Sequence, residues 1–178
     1  MSLLEPSKKR LVHLYTGDGK GKSTAAVGLC LRALGHGWKV LYCRFLKARP
    51  SRELALLERV GAEIVSAPAS VKFTWDLTED EKEALAHAHL FFLTELKDKM
   101  SGFDLMVMDE VVDAVNLGFV PIGILEKLVK SRPEMLELVL TGHNPSKEIC
   151  CLAHYHTDFR CVRHPYQQGV AARNGIEI

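Results

Sequence analysis

A glycine-rich segment near the N-terminus has the residue types and the spacing of a phosphate-binding loop. It follows an apolar run, precedes a helical pattern and reads Thr16-Gly17-Asp18-Gly19-Lys20-Gly21-Lys22-Ser23-Thr24. Glycines at alternate positions let successive backbone N–H groups converge on phosphate oxygens at a helix N-terminus. Lys22 adds a positive charge, and the Ser23 hydroxyl is a ligand that Mg2+ accepts. We therefore predict that residues 17–24 bind the phosphates of a nucleotide.

One position departs from the usual P-loop spacing. The pattern G-x-x-x-x-G-K-S/T places a glycine where this chain has Thr16. The alternative to a phosphate-binding loop is a glycine-rich connection in which Lys22 and Ser23 are adjacent by chance. Because strand, loop, Lys-Ser and helix follow one another in the expected order, the phosphate-binding interpretation is favoured.

Two adjacent carboxylates, Asp109 and Glu110, end the apolar run that starts at Leu105. A protein that binds a magnesium nucleotide needs a carboxylate near the metal, either directly or through water. We predict that Asp109 and Glu110 hold the metal together with Ser23. Without the P-loop, a strand that ends in a solvated turn would be the better interpretation of the same residues.

The pattern around these residues is that of an α/β fold, because short β-branched runs alternate with longer periodic segments. Strands are predicted at Leu11–Tyr15, Lys39–Phe45, Glu63–Ser66, Leu105–Asp109, Leu138–Thr141 and His156–Val162. Helices are predicted at Ser23–Leu34 with a left-handed cap at Gly35, from a Thr78/Glu81 capping box towards Met100, and from Pro121 to before Pro133. We expect a three-layer P-loop nucleotide-binding fold with a mostly parallel central sheet. Ligands then bind at the carboxyl ends of the strands.

Length, composition and charge narrow the class of protein. The chain has 178 residues, of which 47% are hydrophobic, and we expect a single domain over residues 1–178. No apolar run approaches the ~18 residues that cross a bilayer, so a membrane-spanning protein is excluded. The 23 basic and 22 acidic side chains give a net charge of +1, which provides no overall attraction to nucleic acid or to anionic lipid. Five cysteines without Cys-x-x-Cys spacing and a charged first segment predict a cytoplasmic protein with reduced thiols.

Several segments beyond the P-loop resemble the ATP:corrinoid adenosyltransferases, and together they cover most of the chain. They are TGDGKGKSTAA at 16–26, RALGHGWKV at 32–40, FLK at 45–47, FTW at 73–75, MDE at 108–110, LTG at 140–142 and HPYQQGVAARNGIE at 164–177. A P-loop that begins with threonine is itself characteristic of this family. Its members attach the 5′-deoxyadenosyl group of ATP to the cobalt of a corrinoid.

The resemblance implies a reaction and a set of catalytic residues. The Co(I) centre of a reduced corrinoid, cobalamin or cobinamide, attacks the 5′ carbon of ATP, and triphosphate leaves. Lys22, Ser23 and Glu110 are then catalytic, and Mg2+ is held by Ser23, Asp109 and Glu110. No base-activated water is needed, since the attack is on carbon.

The resemblance also implies corrinoid contacts and partners. Phe73 and Trp75 match aromatic residues that, in the family, lie against the lower corrin face and displace the axial base of the cobalt. From composition alone, the same two side chains would be packing residues of a core or lid. A homodimer and a reduced electron donor such as a flavoprotein are implied by the family as well.

Three departures from the family pattern lie in predicted active-site loops. His143 stands where the family commonly has an arginine that is associated with the polyphosphate, and histidine cannot make a bidentate fork. Ser51-Arg52-Glu53 replaces a Gly-Glu pair, and Val71-Lys72 replaces glycines. We predict that His143 still contacts ATP. Two other functions stay open: an ordinary P-loop ATPase or kinase, and a module that binds nucleotide or corrinoid with little turnover.

Overall fold

The computed structural model describes residues 9–48, 51–70, 72 and 76–177, and six β-strands within them form one sheet. The strands are β1 (Val12–Thr16), β2 (Val40–Arg44), β3 (Glu63–Ser66), β4 (Leu105–Asp109), β5 (Glu137–Thr141) and β6 (Tyr155–Asp158). Their order across the sheet is β3-β2-β4-β5-β1-β6, and each neighbouring pair is parallel. The carboxyl ends of β4, β5 and β1 therefore lie side by side at one edge of the sheet.

Six α-helices of the described residues cover both faces of this sheet. They are α1 (Lys22–Gly35), α2 (Arg52–Arg59), α3 (Glu79–Lys99), α4 (Val111–Asn116), α5 (Ile122–Lys130) and α6 (Lys147–Leu152). Buried side chains of α1 and α2 form one core cluster with Tyr42 and Val107, and those of α3 to α6 form a second with Met106 and Met108. The three-layer α/β fold is thus confirmed. In this part of the chain, no helix has the length and apolar character that a membrane crossing requires.

The burial of each strand explains how hydrophobic its sequence is. Every residue of β2 and of β4 is buried, and each strand is an apolar run of four residues that ends in one charged residue. The edge strands β3 and β6 are short and largely exposed. The strands that carry the most buried residues are therefore the ones that place Arg44 and Asp109 at the carboxyl edge.

The structure corrects the end of the last predicted strand. We expected this strand to run from His156 to Val162, but β6 ends at Asp158. Asp158 pairs with Thr16, the last residue of β1, so the sheet offers no strand partner beyond this pair. The Phe159 carbonyl accepts instead from the N–H of Gly19 in the glycine-rich loop.

Helix termini were predicted with mixed success. The capping box is confirmed, since the Thr78 hydroxyl accepts from the Glu81 N–H and the Glu81 carboxylate accepts from the Thr78 N–H. The cap at Gly35 is wrong: this residue ends α1, and Gly37 has the left-handed conformation with φ 77°. Pro121 is the N-cap of α5 and not its first helical residue.

Candidate active site

The glycine-rich loop folds around the side chain of Lys22. Gly17 and Gly21 have φ angles of 105° and 122°, which residues with a side chain rarely adopt. The Lys22 ammonium donates to the carbonyl oxygens of Gly17 at 2.6 Å and Gly19 at 3.0 Å. Because α1 begins at this lysine, the unpaired N–H groups of its first turn lie next to the loop. This arrangement suits an anion such as phosphate.

Residues that follow β6 cover one side of the loop. The Gly19 N–H donates to the Phe159 carbonyl at 2.6 Å, and the Cys161 N–H donates to Asp18 Oδ1 at 3.0 Å. A Cβ at Gly19 would lie 2.6 Å from the same Phe159 oxygen, so the contact requires glycine. Asp18, predicted to bind nucleotide, therefore connects the loop to residues 159–161, a segment hereafter called the C-terminal clamp.

The outer residues of the predicted loop face solvent. Lys20 is exposed, and its ammonium lies 3.6 Å from the Glu177 carboxylate in the C-terminal segment. Thr24 is exposed on the first turn of α1. Both positions are therefore accessible at the loop, and their predicted contact with nucleotide stays a prediction.

The Asp109 carboxylate lies at the end of β4 and is almost fully buried, with 1% of its surface exposed. Its Oδ1 accepts from the Ser23 hydroxyl at 2.9 Å and from the Thr141 hydroxyl at 2.7 Å. The start of α1 and the ends of β4 and β5 thus meet at this one carboxylate. The structure brings Ser23 and Asp109 together, as the sequence predicted, and adds Thr141 at the end of β5.

Lys47, like Thr141, is a site residue that the sequence did not predict. Its ammonium donates to Asp109 Oδ2 at 2.7 Å and to Ser23 Oγ at 3.2 Å, and it lies 3.3 Å from Glu110 Oε1. Burial alone would lower the pKa of Lys47, but the negative charges of Asp109 and Glu110 raise it. One feature of the sequence could have indicated Lys47: it comes shortly after β2, the strand that pairs with β4.

Glu110 has a left-handed backbone, with φ 65°, between β4 and α4. Its N–H donates to the Thr141 hydroxyl at 2.9 Å, which holds this unusual turn against the end of β5. Burial raises the pKa of Glu110; the ammonium of Lys47 opposes that shift and the charge of Asp109 adds to it. The second predicted carboxylate is therefore beside the first.

His143 lies past the end of β5 and is held by α4. Its backbone N–H and its Nδ1 both lie 3.0 Å from Asp113 Oδ1, and Asn116 donates to its carbonyl at 2.8 Å. Gly142, with φ 150°, makes the preceding turn and donates its N–H to Tyr15 O. His143 is thus oriented by Asp113 beside the carboxyl edge, and its contact with ATP stays a prediction.

Phe73 and Trp75, the predicted corrinoid contacts, lie outside the described residues. Close to them in sequence, Leu77 lines a small cavity of about 40 Å3 together with Leu46, His89 and Phe119. His89 is fully buried in α3, and its ring stacks on that of Phe119 with centroids 5.5 Å apart. His89 Nδ1 pairs with the Leu85 carbonyl, whereas Nε2 is buried and has no hydrogen-bond partner among the described residues.

The donor set at the carboxyl edge fits a hard cation. A hydroxyl oxygen from Ser23 and carboxylate oxygens from Asp109 and Glu110 are the ligand types that Mg2+ prefers. Among the described residues, no group of three or more His, Cys, Asp or Glu side chains could hold a metal, so a cation here would also need the Ser23 hydroxyl or oxygens of the nucleotide. The residues therefore suit Mg2+ that arrives with a nucleotide.

The fold has a parallel sheet between two helical layers, the glycine-rich loop after β1 and carboxylates at the end of β4, which is separated from β1 by β5. This arrangement defines a P-loop nucleotide-binding protein. The fold resembles that of a KaiC-like protein from Pyrococcus horikoshii OT3, with a TM-score of 0.50 over 87% of this chain and 74% of that one. The two sequences are 16% identical, so the likeness concerns the fold alone.

The chain belongs to the ATP:corrinoid adenosyltransferase family BtuR/CobO/CobP, whose family model matches residues 8–178. It is 31% identical to the corrinoid adenosyltransferase of Escherichia coli K12 over 96% of this chain and 86% of that protein. It is 33% identical to the corrinoid adenosyltransferase of Pseudomonas aeruginosa over 93% of this chain and 82% of that protein. The family resemblance seen in the sequence is confirmed.

Proposed function

We propose that this protein transfers the 5′-deoxyadenosyl group of ATP to the cobalt of a reduced corrinoid substrate and releases triphosphate. The observation that carries the proposal is the meeting of the P-loop serine, Ser23, with Asp109 and Lys47 at the carboxyl edge of the sheet, in a chain that matches the family from residue 8 to 178.

The bond changes determine what the protein has to stabilise. The electron pair of Co(I) forms the cobalt–carbon bond, the bond from C5′ to the phosphate oxygen breaks, and its electron pair leaves with triphosphate. Negative charge therefore grows on the leaving group. Lys22 and the N–H groups at the start of α1 can stabilise that charge once Lys22 exchanges the Gly17 and Gly19 carbonyls for phosphate oxygens.

Mg2+ is part of the proposal, with Ser23, Asp109 and Glu110 as the residues that would hold it. When bound, it neutralises charge on the polyphosphate. The Thr141 hydroxyl keeps Asp109 oriented, and the Thr141–Glu110 hydrogen bond fixes the turn that places the second carboxylate. His143, held by Asp113, is proposed to contact the polyphosphate.

The remaining parts of the proposal rest on the family. Phe73 and Trp75 are assigned to the corrin face, where they would remove the axial base and make Co(II) easier to reduce. A reduced flavoprotein is the proposed class of electron donor, a homodimer the proposed assembly and the cytoplasm the proposed location. Cobalamin and cobinamide are both candidate substrates.

Product analysis tests the reaction. The protein is incubated without oxygen with chemically reduced cobalamin and MgATP, and the alkylated corrinoid and the phosphate products are measured. We expect adenosylated corrinoid and triphosphate in equal amounts, and neither with Lys22→Ala. ADP or phosphate without alkylation would support a P-loop ATPase or kinase instead. Saturable ATP binding without any product would indicate a binding module.

A further inference from the structure

The Lys47 ammonium lies among the same oxygens that are proposed to hold the metal. It is 2.7 Å from Asp109 Oδ2, 3.2 Å from Ser23 Oγ and 3.3 Å from Glu110 Oε1. A lysine that contacts one carboxylate is a common ion pair. A lysine that contacts the P-loop hydroxyl and both carboxylates occupies the position of a bound cation.

We propose that Lys47 is an exchangeable counter-ion: it occupies the metal position in the nucleotide-free protein, is displaced when the magnesium nucleotide binds, and then contacts the polyphosphate. The first step concerns the protein alone, whereas the displacement by magnesium nucleotide and the polyphosphate contact rest on the proposed function.

A positive charge stabilises the ionised carboxylates at this place before any metal arrives. Asp109 is 1% exposed, and Glu110 is partly buried beside it. Two neighbouring carboxylates in a buried site repel each other and lose hydration, and a positive charge in contact offsets both costs. The hydrogen bonds of the Lys22 ammonium go to the Gly17 and Gly19 carbonyls and not to these carboxylates.

The backbone turn after β2 directs Lys47 towards the carboxylates. The Phe45 N–H donates to the Asp109 carbonyl at 2.9 Å, which fixes the end of β2 beside the end of β4. Leu46 then adopts a left-handed backbone with φ 43°, and the Lys47 N–H bonds back to the Phe45 carbonyl. A bulky residue in this conformation is strained, and such strain persists where the surrounding structure requires it. The tight turn aims Lys47 at the carboxylates.

The lysine can also leave. Its side chain is 31% exposed, whereas that of Asp109 is 1% exposed, so the ammonium lies on the solvent side of the carboxylate. A magnesium ion bonded to these oxygens at about 2.0–2.1 Å would lie too close to the ammonium for both to stay. The displaced ammonium, on its flexible four-carbon stem, would remain at the mouth where polyphosphate charge arrives.

Manganese binding to the nucleotide-free protein tests the exchange directly. Free Mn2+ is counted by electron paramagnetic resonance during titration of wild type, Lys47→Met, Lys47→Arg and the surface control Lys82→Met, whose wild-type lysine pairs with Glu79. Removing a like charge within a few ångströms of the ion should raise Mn2+ affinity by at least ~10-fold in Lys47→Met. Lys47→Arg and Lys82→Met should bind as weakly as wild type.

The same series of variants shows where Mn2+ binds and whether each variant is folded. Adding Asp109→Asn to Lys47→Met should abolish the gained affinity, which places the ion at these carboxylates. Circular dichroism monitors folding, and Lys47→Gln, whose amide can still donate to Asp109, carries the same expectation if Lys47→Met does not fold. An Mn2+ affinity in the folded, charge-free variants equal to that of wild type would overturn the proposal.

The nucleotide step has its own measurement. With saturating Mg2+, the dissociation constant for ATP should rise at least ~5-fold in Lys47→Met and much less in Lys47→Arg, because a charged hydrogen bond to phosphate is lost. An unchanged ATP affinity in Lys47→Met would refute the polyphosphate contact. Neither assay contains a corrinoid, so a failure of adenosyl transfer is recognised separately from a failure of the counter-ion exchange.

Discussion

Replacement of Gly142 by alanine should destabilise the protein strongly. Gly142 has φ 150°, and a Cβ built there would lie 2.6 Å from the Cβ of Val112 and 2.9 Å from the backbone nitrogen of Asp113. Neither neighbour is the end of a flexible side chain, and Val112 is fully buried at the start of α4. The methyl group can be accommodated only if β5 and α4 separate at the carboxyl edge.

The size of the effect follows from two costs. A side chain forced into this backbone region costs about 1–3 kcal/mol, and overpacking of a dense contact typically costs about 1–3 kcal/mol more. We therefore expect the free energy of unfolding to fall by about 2–6 kcal/mol, a large part of the roughly 5–15 kcal/mol that stabilises a domain.

Gly28→Ala is the matched control. Gly28 lies inside α1, and a Cβ there would meet no atom within 4 Å. The same chemical change should raise the free energy of unfolding by about 0.5–1 kcal/mol, because alanine favours the helix. Urea unfolding followed by circular dichroism at 222 nm measures both variants. A Gly142→Ala protein as stable as wild type would contradict the close packing of Gly142 against α4.

Three further predictions concern the reaction and the core. Ser23→Ala should lower the rate of corrinoid alkylation by at least ~100-fold at saturating ATP, since it removes charge stabilisation of the leaving group; a near-normal rate would contradict the P-loop assignment. Burial lowers the pKa of His89 below its usual 6.5 in spite of its hydrogen bond to Leu85, so the unfolded state gains a proton first as pH falls. Urea unfolding of wild type should therefore show a loss of stability from pH 7.5 to 5.5 that is smaller in His89→Phe; equal losses would mean that His89 does not titrate in this way. Phe73→Ala and Trp75→Ala should slow the reaction strongly from Co(II) with a mild reductant, but much less from pre-formed Co(I), whereas packing roles would depress both assays alike and lower the melting temperature.

The loop and the β4 carboxylates were predictable because their signals are local. A strand, a glycine-rich turn and a helix follow one another between Leu11 and Leu34, and an apolar run ends at Asp109 and Glu110. The capping box at Thr78 is likewise contained in four residues. Each of these patterns depends on neighbours in sequence, so no knowledge of the sheet order was needed.

Lys47 and Thr141 could not be assigned to the site in this way. Each is a single polar residue after an apolar run, and its role depends on β2 and β5 both lying beside β4. Sheet order is set by packing between segments that are far apart in the chain, which a local pattern does not contain. The early end of β6 has the same origin, because β6 stops beside the end of its neighbour β1, at the Thr16–Asp158 pair.

The position of β1 in the sheet has a consequence for synthesis on the ribosome. Among the described strands β1 leaves the exit tunnel first, whereas its two neighbours, β5 and β6, leave last. The C-terminal clamp that contacts the phosphate loop follows later still. A nascent chain therefore carries its nucleotide-binding loop without the partners that shape it until residues 137–161 are made, and contacts of such long sequence separation form slowly. Nucleotide binding should arise abruptly, in chains long enough to expose residue 161, and ribosome-bound chains of graded length would time that event.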